Sequence, residues 1–379
     1  MNLCQPESSA RGRRVVVAMS GGVDSSVAAA LLVEAGYEAI GISLRLADSR
    51  ETEEPAGRSH GCCSLEDFRD AERVAATLGI AHYVFDLREQ FGRSVVDPFV
   101  ADYREGRTPS PCILCNREIK FGVLLRKAAE LGAEAVATGH YARRVWSDGR
   151  HRLLRARDLA KDQSYFLFEL GQREMARTLF PVGDLEKPEV RQIARRLGLA
   201  VAEKPESQEI CFVVGKGYAE FVEQRMPSAP AAGDLRDHEG RALGRHGGIH
   251  HFTIGQRRGL GIAASEPLYV TGIDAPTHTV RVGPRRALQR AGLEVERVAW
   301  TSGHAEPEGA EVMVRVRHRH RPAAATVWPA EGGLLKIRFA EPQEAIAPGQ
   351  AAVFYRGEEV LGGGWISKSL ELEEAVSCA

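Results

Sequence analysis

The spacing of apolar residues changes character twice along the chain. Near the start, Val15-Val16-Val17-Ala18 reads as a short buried strand, and the Ala/Leu-rich run that follows Asp24 as a helix. Glu38–Leu46 gives a second strand, with Ala39, Ile40, Ile42 and Leu44 as its apolar members. A polar stretch from Ala47 to His60 follows. Leu65–Leu78 carries apolar residues at helical spacing and meets a stop at Gly79. His82–Leu87 is a third strand, and a helix runs through Val95–Tyr103. Phe121–Leu131 is helical, and Ala135–Thr138 is a strand ending in Gly139-His140. Strands alternating with helices predict a parallel sheet covered on both faces. Ligands of such sheets sit beyond the carboxyl ends of the strands.

The α/β pattern fades after Leu197-Gly198. A helix at about Tyr218–Arg225 precedes Met226-Pro227-Ser228-Ala229-Pro230-Ala231-Ala232-Gly233, which has the composition of a linker. Short alternating segments follow at Tyr269–Ile273, Thr279–Val282, Glu311–Val316, Leu334–Phe339 and Ala351–Tyr355. They predict a small mixed domain and then a β-barrel from about Gly292. The expected division is a catalytic α/β domain over residues 1–215, a central domain over 216–290 and a barrel over 291–379.

Composition narrows the class. Hydrophobic content of 44% and charged content of 27% belong to a globular protein. No stretch is long and apolar enough to span a membrane, so no membrane partner is expected. Arg11-Gly12-Arg13-Arg14 ahead of Val15–Met19 mimics a signal peptide, but the apolar run is too short. Seven cysteines in 379 residues make no secreted disulfide framework, and the cytoplasm is the expected compartment. A net charge of −1 does not announce a nucleic-acid binder, yet it can hide a basic face. Arg315-Val316-Arg317-His318-Arg319-His320-Arg321 alternates like a strand with one cationic side.

Between the first strand and helix lies Ser20-Gly21-Gly22-Val23-Asp24-Ser25-Ser26. Gly21 and Gly22 let the backbone turn tightly and approach a ligand. Ser20, Ser25 and Ser26 add hydroxyls, and the N–H groups opening the helix favour an anion. No Lys-Ser or Lys-Thr follows the glycines, so the loop is not of the Walker type. A second informative stretch is Thr108-Pro109-Ser110-Pro111-Cys112-Ile113-Leu114-Cys115-Asn116. Its prolines predict a stiff loop entering a helix, with both sulfurs facing one point, whether a metal, a cluster or each other. The helix start, Arg117 and Lys120 favour the thiolate. A buried structural pair of thiols is the plain alternative. Cys211, between Ile210 and Phe212, reads by itself as a core thiol.

The Ser-Gly-Gly-Val-Asp-Ser-Ser loop resembles the pyrophosphate loop of the ATP pyrophosphatases. Seven further segments occur with it in one order: Gly61-Cys62-Cys63-Ser64, Pro111–Asn116, Ala137–Tyr141, Lys161–Ser164, Ile210–Phe212, Thr253–Gly261 and Pro348–Gln350. Together they resemble the bacterial tRNA-specific 2-thiouridylase family from about Arg14 to the end. The resemblance implies an adenine nucleotide alpha hydrolase-like parallel-sheet domain, a small central domain and a C-terminal β-barrel. It also implies ATP-dependent thiolation of the wobble uridine of certain tRNAs: ATP adenylates the carbon-2 oxygen, and sulfur displaces AMP.

By motif position, Ala18, Met19, Ser20, Gly21, Gly22, Val23, Asp24 and Ser25 would bind ATP, with Asp24 helping to hold Mg²⁺. Leu44 and Gly139 would lie near the adenine. Cys115 would be the nucleophile, and Cys211 would carry the persulfide. Ser110, Pro111, Cys112, His140, Lys161, Asp162, Gln163 and Gln350 would touch tRNA, joined by Arg317, His318 and Arg319 of the basic run. Cys112 stands where many members carry an aspartate taken as acid or base. In that respect the chain resembles a subgroup in which three cysteines, here Cys112, Cys115 and Cys211, hold a 4Fe–4S cluster. Zinc or a Cys112–Cys115 disulfide are the other readings of the trio. The sulfur would come from a donor protein or sulfide. Rival functions are an amidating synthetase of the pyrophosphatase group, for which no glutaminase segment is recognisable, and a non-catalytic iron–sulfur RNA sensor.

Overall fold

The computed structural model describes residues 11–47, 64–206, 210–213 and 217–372. Cys62 and Cys63, Cys4 and Cys378 lie outside the described residues. The α/β part contains β1 (Arg14–Ala18), β2 (Glu38–Arg45), β3 (Ala81–Asp86), β4 (Ala135–Thr138), the hairpin β5 (Ala142–Ser147) and β6 (Arg150–Arg155), and β7 (Thr178–Leu179). Five of these form a parallel sheet in the order β3-β2-β1-β4-β7. The valines of β1 alternate between its faces, as strand geometry requires. Val15 and Val17 pack with α1 (Val23–Glu34) and the Lys187–Arg196 helix, while Val16 packs with Leu124, Leu125 and Ala128 on the other side. An apolar run without polar alternation is therefore what a strand covered twice needs.

Helix α2 (Leu65–Leu78) opens on a capping box between Ser64 and Asp67 and ends on Gly79, whose φ of 68° is left-handed. The stop expected at Gly79 is there. The cysteine segment departs from expectation. Helix begins at Pro111, not near Phe121, and runs as Pro111–Leu114, a π-helical Cys115–Val123 and Leu124–Glu130. Pro111 sits in the first turn, where its missing N–H is lost to the helix anyway. The prolines therefore start this helix, and both cysteines lie on it, not on a loop before it.

The central strands β8 (Gly233–Arg236), β9 (Ala242–His246), β10 (Tyr269–Asp274) and β11 (Thr279–Gly283) form a sheet in the order β10-β11-β8-β9. The barrel comprises β12 (Gln289–Trp300), β13 (Ala310–Arg315), β14 (Ala323–Pro329), β15 (Leu335–Glu344), β16 (Ala351–Arg356) and β17 (Glu359–Leu370). It runs β12-β15-β14-β13-β16-β17 and closes through β12 pairing with β17. Closure removes the edges, but β17 also pairs with β6, so the β5–β6 hairpin of the α/β part extends the barrel sheet. Strand β13 stops at Arg315, and residues 316–320 bend and turn. The alternating strand read over Arg315–Arg321 is thus corrected: Arg315 turns inward to an acid, and the exposed side chains beyond it stand on a turn.

That acid is Asp162, almost wholly buried. It accepts from Arg315 Nη1 at 2.8 Å, from the Ala156 N–H at 3.1 Å and from the Ser164 N–H at 3.2 Å. Arg155 Nε lies at 3.5 Å. A buried pair adds little net stability over apolar residues, but breaking one strands a charge at a cost of about 3–5 kcal/mol. Asp162→Ala is expected to lower the unfolding free energy by about that much, read as a fall in the urea midpoint. Glu203→Ala, which removes the exposed partner of Arg195, is expected to leave the midpoint where it was.

Candidate active site

Parallel register sets the site. Ala18, ending β1, lies beside Ile42 of β2 and Thr138 of β4, so the loop after Ala18, Leu44 and Gly139 share one carboxyl edge. Two glycines are required there by close approach. A Cβ on Gly21, where φ is 71°, would sit 2.3 Å from the Asp67 carbonyl oxygen. One on Gly139 would sit 2.5 Å from the Ser25 nitrogen. The loop is thus wedged between the start of α2 and the end of β4. Inside it, Ser25 Oγ accepts from the Ser20 N–H at 3.2 Å and donates to the Gly22 carbonyl at 3.1 Å. Met19, Val23 and Ser25 are buried, while Ser20 is exposed at the mouth. Gly22 caps α1 without a side-chain bond, which leaves the first-turn amides for an anion.

Asp24, in that first turn, is gripped from outside the loop. Lys187 Nζ donates to both its oxygens at 2.7 and 2.9 Å, and the Tyr141 hydroxyl donates to Oδ1 at 2.8 Å. Lys187, with its side chain 9% exposed, also meets Glu206 at 2.7 Å, and Glu206 meets Lys161 at 2.7 Å. Burial by itself raises the Glu206 carboxyl, but hydrogen bonds from the two lysines outweigh it and hold the group below its ordinary range. Gln163 fixes Tyr141 through its own N–H on the Tyr141 carbonyl (2.8 Å) and its Oε1 on the Tyr141 N–H (2.9 Å). Lys161 and Gln163, expected as RNA contacts, therefore face the nucleotide loop through Glu206 and Tyr141. Sequence reasoning missed Lys187, Glu206 and the part played by Tyr141. Tyr141 lay within a segment singled out for other residues, whereas Glu206 stood just before the Cys211 segment and Lys187 carried no signal beyond a Lys-Pro helix start.

The cysteines divide by exposure. Cys112 is exposed, Cys115 is buried and Cys211 lies between. Cys115 belongs to a core with Phe91, Phe99, Phe121 and Phe212, against which Cys211 packs. Phe212 anchors the Cys211 segment by edge-on contacts with Phe91 (5.4 Å) and Phe99 (5.2 Å). The three sulfurs do not all lie within 4.8 Å of one another, a closeness met among the described residues by a different trio. Ser110 and Pro111 are buried beside them.

The approach to the cysteines is held by the barrel. Gln350 Nε2 donates to the Thr108 and Pro109 carbonyls, both at 3.0 Å, and the Thr108 N–H donates to the Pro348 carbonyl at 2.8 Å. His140 is buried between Phe121 and Phe180, with Nδ1 2.8 Å from Thr138 Oγ1 and Nε2 3.4 Å from Lys120 Nζ. Burial first and Lys120 second hold its pKa well below the imidazole range, so the ring is neutral. Arg317 and Arg319 are exposed and line an open cavity of about 720 Å³ with His320, Arg321 and Gln343. His318 is half-buried, its ring 4.5 Å from that of Phe166. Among the described residues no helix is long and apolar enough to cross a membrane.

Three family models match the chain in order. They are a "tRNA methyl transferase HUP domain" at residues 13–215, a "tRNA methyl transferase PRC-barrel domain" at 219–284 and an "Aminomethyltransferase beta-barrel domain" at 290–366. The "tRNA-specific 2-thiouridylase MnmA" of Geobacter metallireducens is 51% identical over 360 residues, covering 94% of this chain and 98% of its own. The protein of that name from Moorella thermoacetica is 49% identical, covering 94% of this chain and all of its own. The solved U34-tRNA thiolase NcsA of Methanococcus maripaludis aligns over 53% of this chain and 63% of its own at 20% identity and a TM-score of 0.34, too slight a likeness to argue from. Near-half identity along both whole chains, over a parallel sheet, a central domain and a closed barrel, means that the chain belongs to the tRNA-specific 2-thiouridylase family.

Proposed function

We propose that the protein uses ATP to put sulfur on carbon 2 of the wobble uridine of tRNA, releasing AMP and pyrophosphate. One continuous set of contacts carries this reading. Lys120, on the helix of Cys115, reaches His140; His140 follows Gly139, and Gly139 abuts Ser25 of the phosphate loop. An activating site and a sulfur site are thereby joined by packed residues. The family membership supplies the substrate class, and a tRNA substrate puts the reaction in the cytoplasm.

In this reading the loop from Ala18 to Ser25 receives the phosphates of ATP, with the adenine near Leu44 and Gly139. Lys187 lies where charge develops on the departing pyrophosphate, and preorganised donors of this kind are worth roughly 3–4 kcal/mol each. Asp24 is suited to Mg²⁺: Oδ1 accepts two hydrogen bonds but Oδ2 only one, which leaves it a lone pair. The ion would neutralise phosphate charge. Cys115 serves as nucleophile and Cys211 as persulfide carrier, its outer sulfur passed on at the same oxidation level from the persulfide of a donor protein; sulfide is the sulfur source only in the cluster reading.

The cysteine-rich subgroup is the finer reading. Three thiols from two segments, one in the core, one packed against it and one exposed, suit a 4Fe–4S cluster as a donor set. Cys112, Cys115 and Cys211 would hold the cluster, which supplies an iron open to sulfide. The exposed Arg317 and Arg319, with His318 beside them, are assigned to tRNA phosphates. Asp162, His140 and Gln350 are assigned to shaping the RNA-facing surface from within.

Asp24→Ala, Ser20→Ala and Lys187→Met are each expected to cut tRNA-dependent pyrophosphate release at least a hundredfold while tRNA binding persists, measured by filter retention. Normal AMP formation in Asp24→Ala or Lys187→Met would refute the loop assignment. Replacing Arg317 and Arg319 by Ala should weaken tRNA binding and flatten the plot of log affinity against log salt by about one unit or less per lost phosphate contact. An unchanged slope means the turn faces only solvent. For the cysteines, anaerobically prepared Cys112→Ser should lose iron, brown absorbance and thiolation together, and Cys112→Asp should stay inactive. Iron-free wild-type protein that thiolates tRNA at full rate would leave the persulfide reading alone standing.

A further inference from the structure

Away from the nucleotide site, three side chains with metal-ligand chemistry converge across the Pro-rich linker. Glu223 ends the Tyr218–Glu223 helix, and His250 and His251 lie on the 3₁₀ turn Ile249–His251. Neighbouring residues on a regular helix point about 100° apart. Here the tight turn brings the two imidazole centroids to 4.2 Å with their planes tilted by 39°. Both rings address the same carboxylate oxygen, Glu223 Oε1, His250 Nε2 at 2.9 Å and His251 Nε2 at 3.1 Å. Among the described residues this is the trio of such donors whose ligand atoms all lie within 4.8 Å of one another.

Those distances match the edges of a coordination polyhedron. With metal–nitrogen and metal–oxygen bonds of about 2.0–2.1 Å, adjacent ligands are about 2.9 Å apart in an octahedron and about 3.4 Å in a tetrahedron. The two nitrogen–oxygen edges already lie within a few tenths of an ångström of those values. One ligand is held in place beforehand. The His250 side chain is 1% exposed, and a Cβ on Gly248 would sit 2.3 Å from its Cε1 and 2.6 Å from its Nδ1, so the glycine makes room for the ring. The side chains of His251 and Glu223 are 42% and 38% exposed, which leaves an open side for ion entry and for water as a further ligand. Two imidazoles with one carboxylate suit a borderline cation such as Zn²⁺ and not Mg²⁺ or Ca²⁺, which take oxygen ligands.

We propose that Glu223, His250 and His251 form a binding site for a zinc-class divalent cation, which pins the Tyr218–Glu223 helix to the Ile249–His251 turn across the Pro-rich linker. The site is independent of the cysteines and of the thiolation reading.

The full chain, with its seven cysteines, Cys112, Cys115 and Cys211 among them, replaced by Ser to remove thiol ligands, is titrated with Co²⁺ alone and then with Zn²⁺ in competition. One Co²⁺ per chain is expected, with visible d–d bands and no sulfur-to-cobalt charge transfer in the near ultraviolet. His251→Ala and Glu223→Gln, each added separately, should weaken binding at least about tenfold, and each alters a part-exposed side chain, with folding checked by circular dichroism. Zn²⁺ should raise the thermal midpoint of the background protein but not that of the His251→Ala variant. Absence of stoichiometric binding, binding untouched by either substitution, or bands dominated by thiolate charge transfer would each overturn the proposal.

Discussion

A lysine withdrawn from water between two carboxylates organises the α/β part. Lys187 is nearly buried, and desolvating an ammonium costs several kcal/mol unless close partners offset it. Asp24 and Glu206 are those partners, and their positions follow from that need. Asp24 fixes the start of α1. Glu206 draws the end of the α/β part back over the phosphate loop, assisted by Lys204, which bridges Asp67 and Asp70 of α2. Burial alone lowers the Lys204 amine, but the two aspartates prevail and raise it. Cys211 follows Glu206 by five residues, so its backbone lies within roughly 18 Å of that clamp, the reach of an extended chain. One ionic contact thus limits how far the sulfur-bearing segment stands from the nucleotide.

Three consecutive residues spread this order through the molecule. Lys161 completes the cluster around Glu206, Gln163 holds the Tyr141 that donates to Asp24, and Asp162 runs the other way to Arg315 of the barrel. The barrel returns the contact through Gln350 on the backbone before Cys112, and through Trp365 Nε1 on Glu169 (3.1 Å), whose carboxylate also takes Arg117 (3.1 Å) from the cysteine helix. The barrel is accordingly part of the wall of the cysteine site as well as a carrier of basic residues.

Some of this was legible in the chain alone. The strand, glycine–serine loop and helix at Val15–Leu32 were read from local spacing, because a strand covered on both faces and a helix each leave a local period. Gly79 announced its helix end for the same reason, since left-handed backbone is a property of one residue. The change to short alternating segments beyond the linker likewise foretold a small sheet and a barrel. The ordered motifs gave the family, which 51% identity over 94% of the chain bears out.

Tertiary structure decided the rest. Pro111 looked like a helix breaker and is a helix starter, because the effect of proline depends on whether its position is interior or first. The basic run after Arg315 looked like a strand, but burial of Arg315 against Asp162, 153 residues away, comes where the strand ends and a turn begins. Lys187 lies 163 residues from Asp24. Periodicity records what a residue's near neighbours require; it carries no trace of a partner brought in by the fold, and the groups that hold this site together are nearly all of that kind.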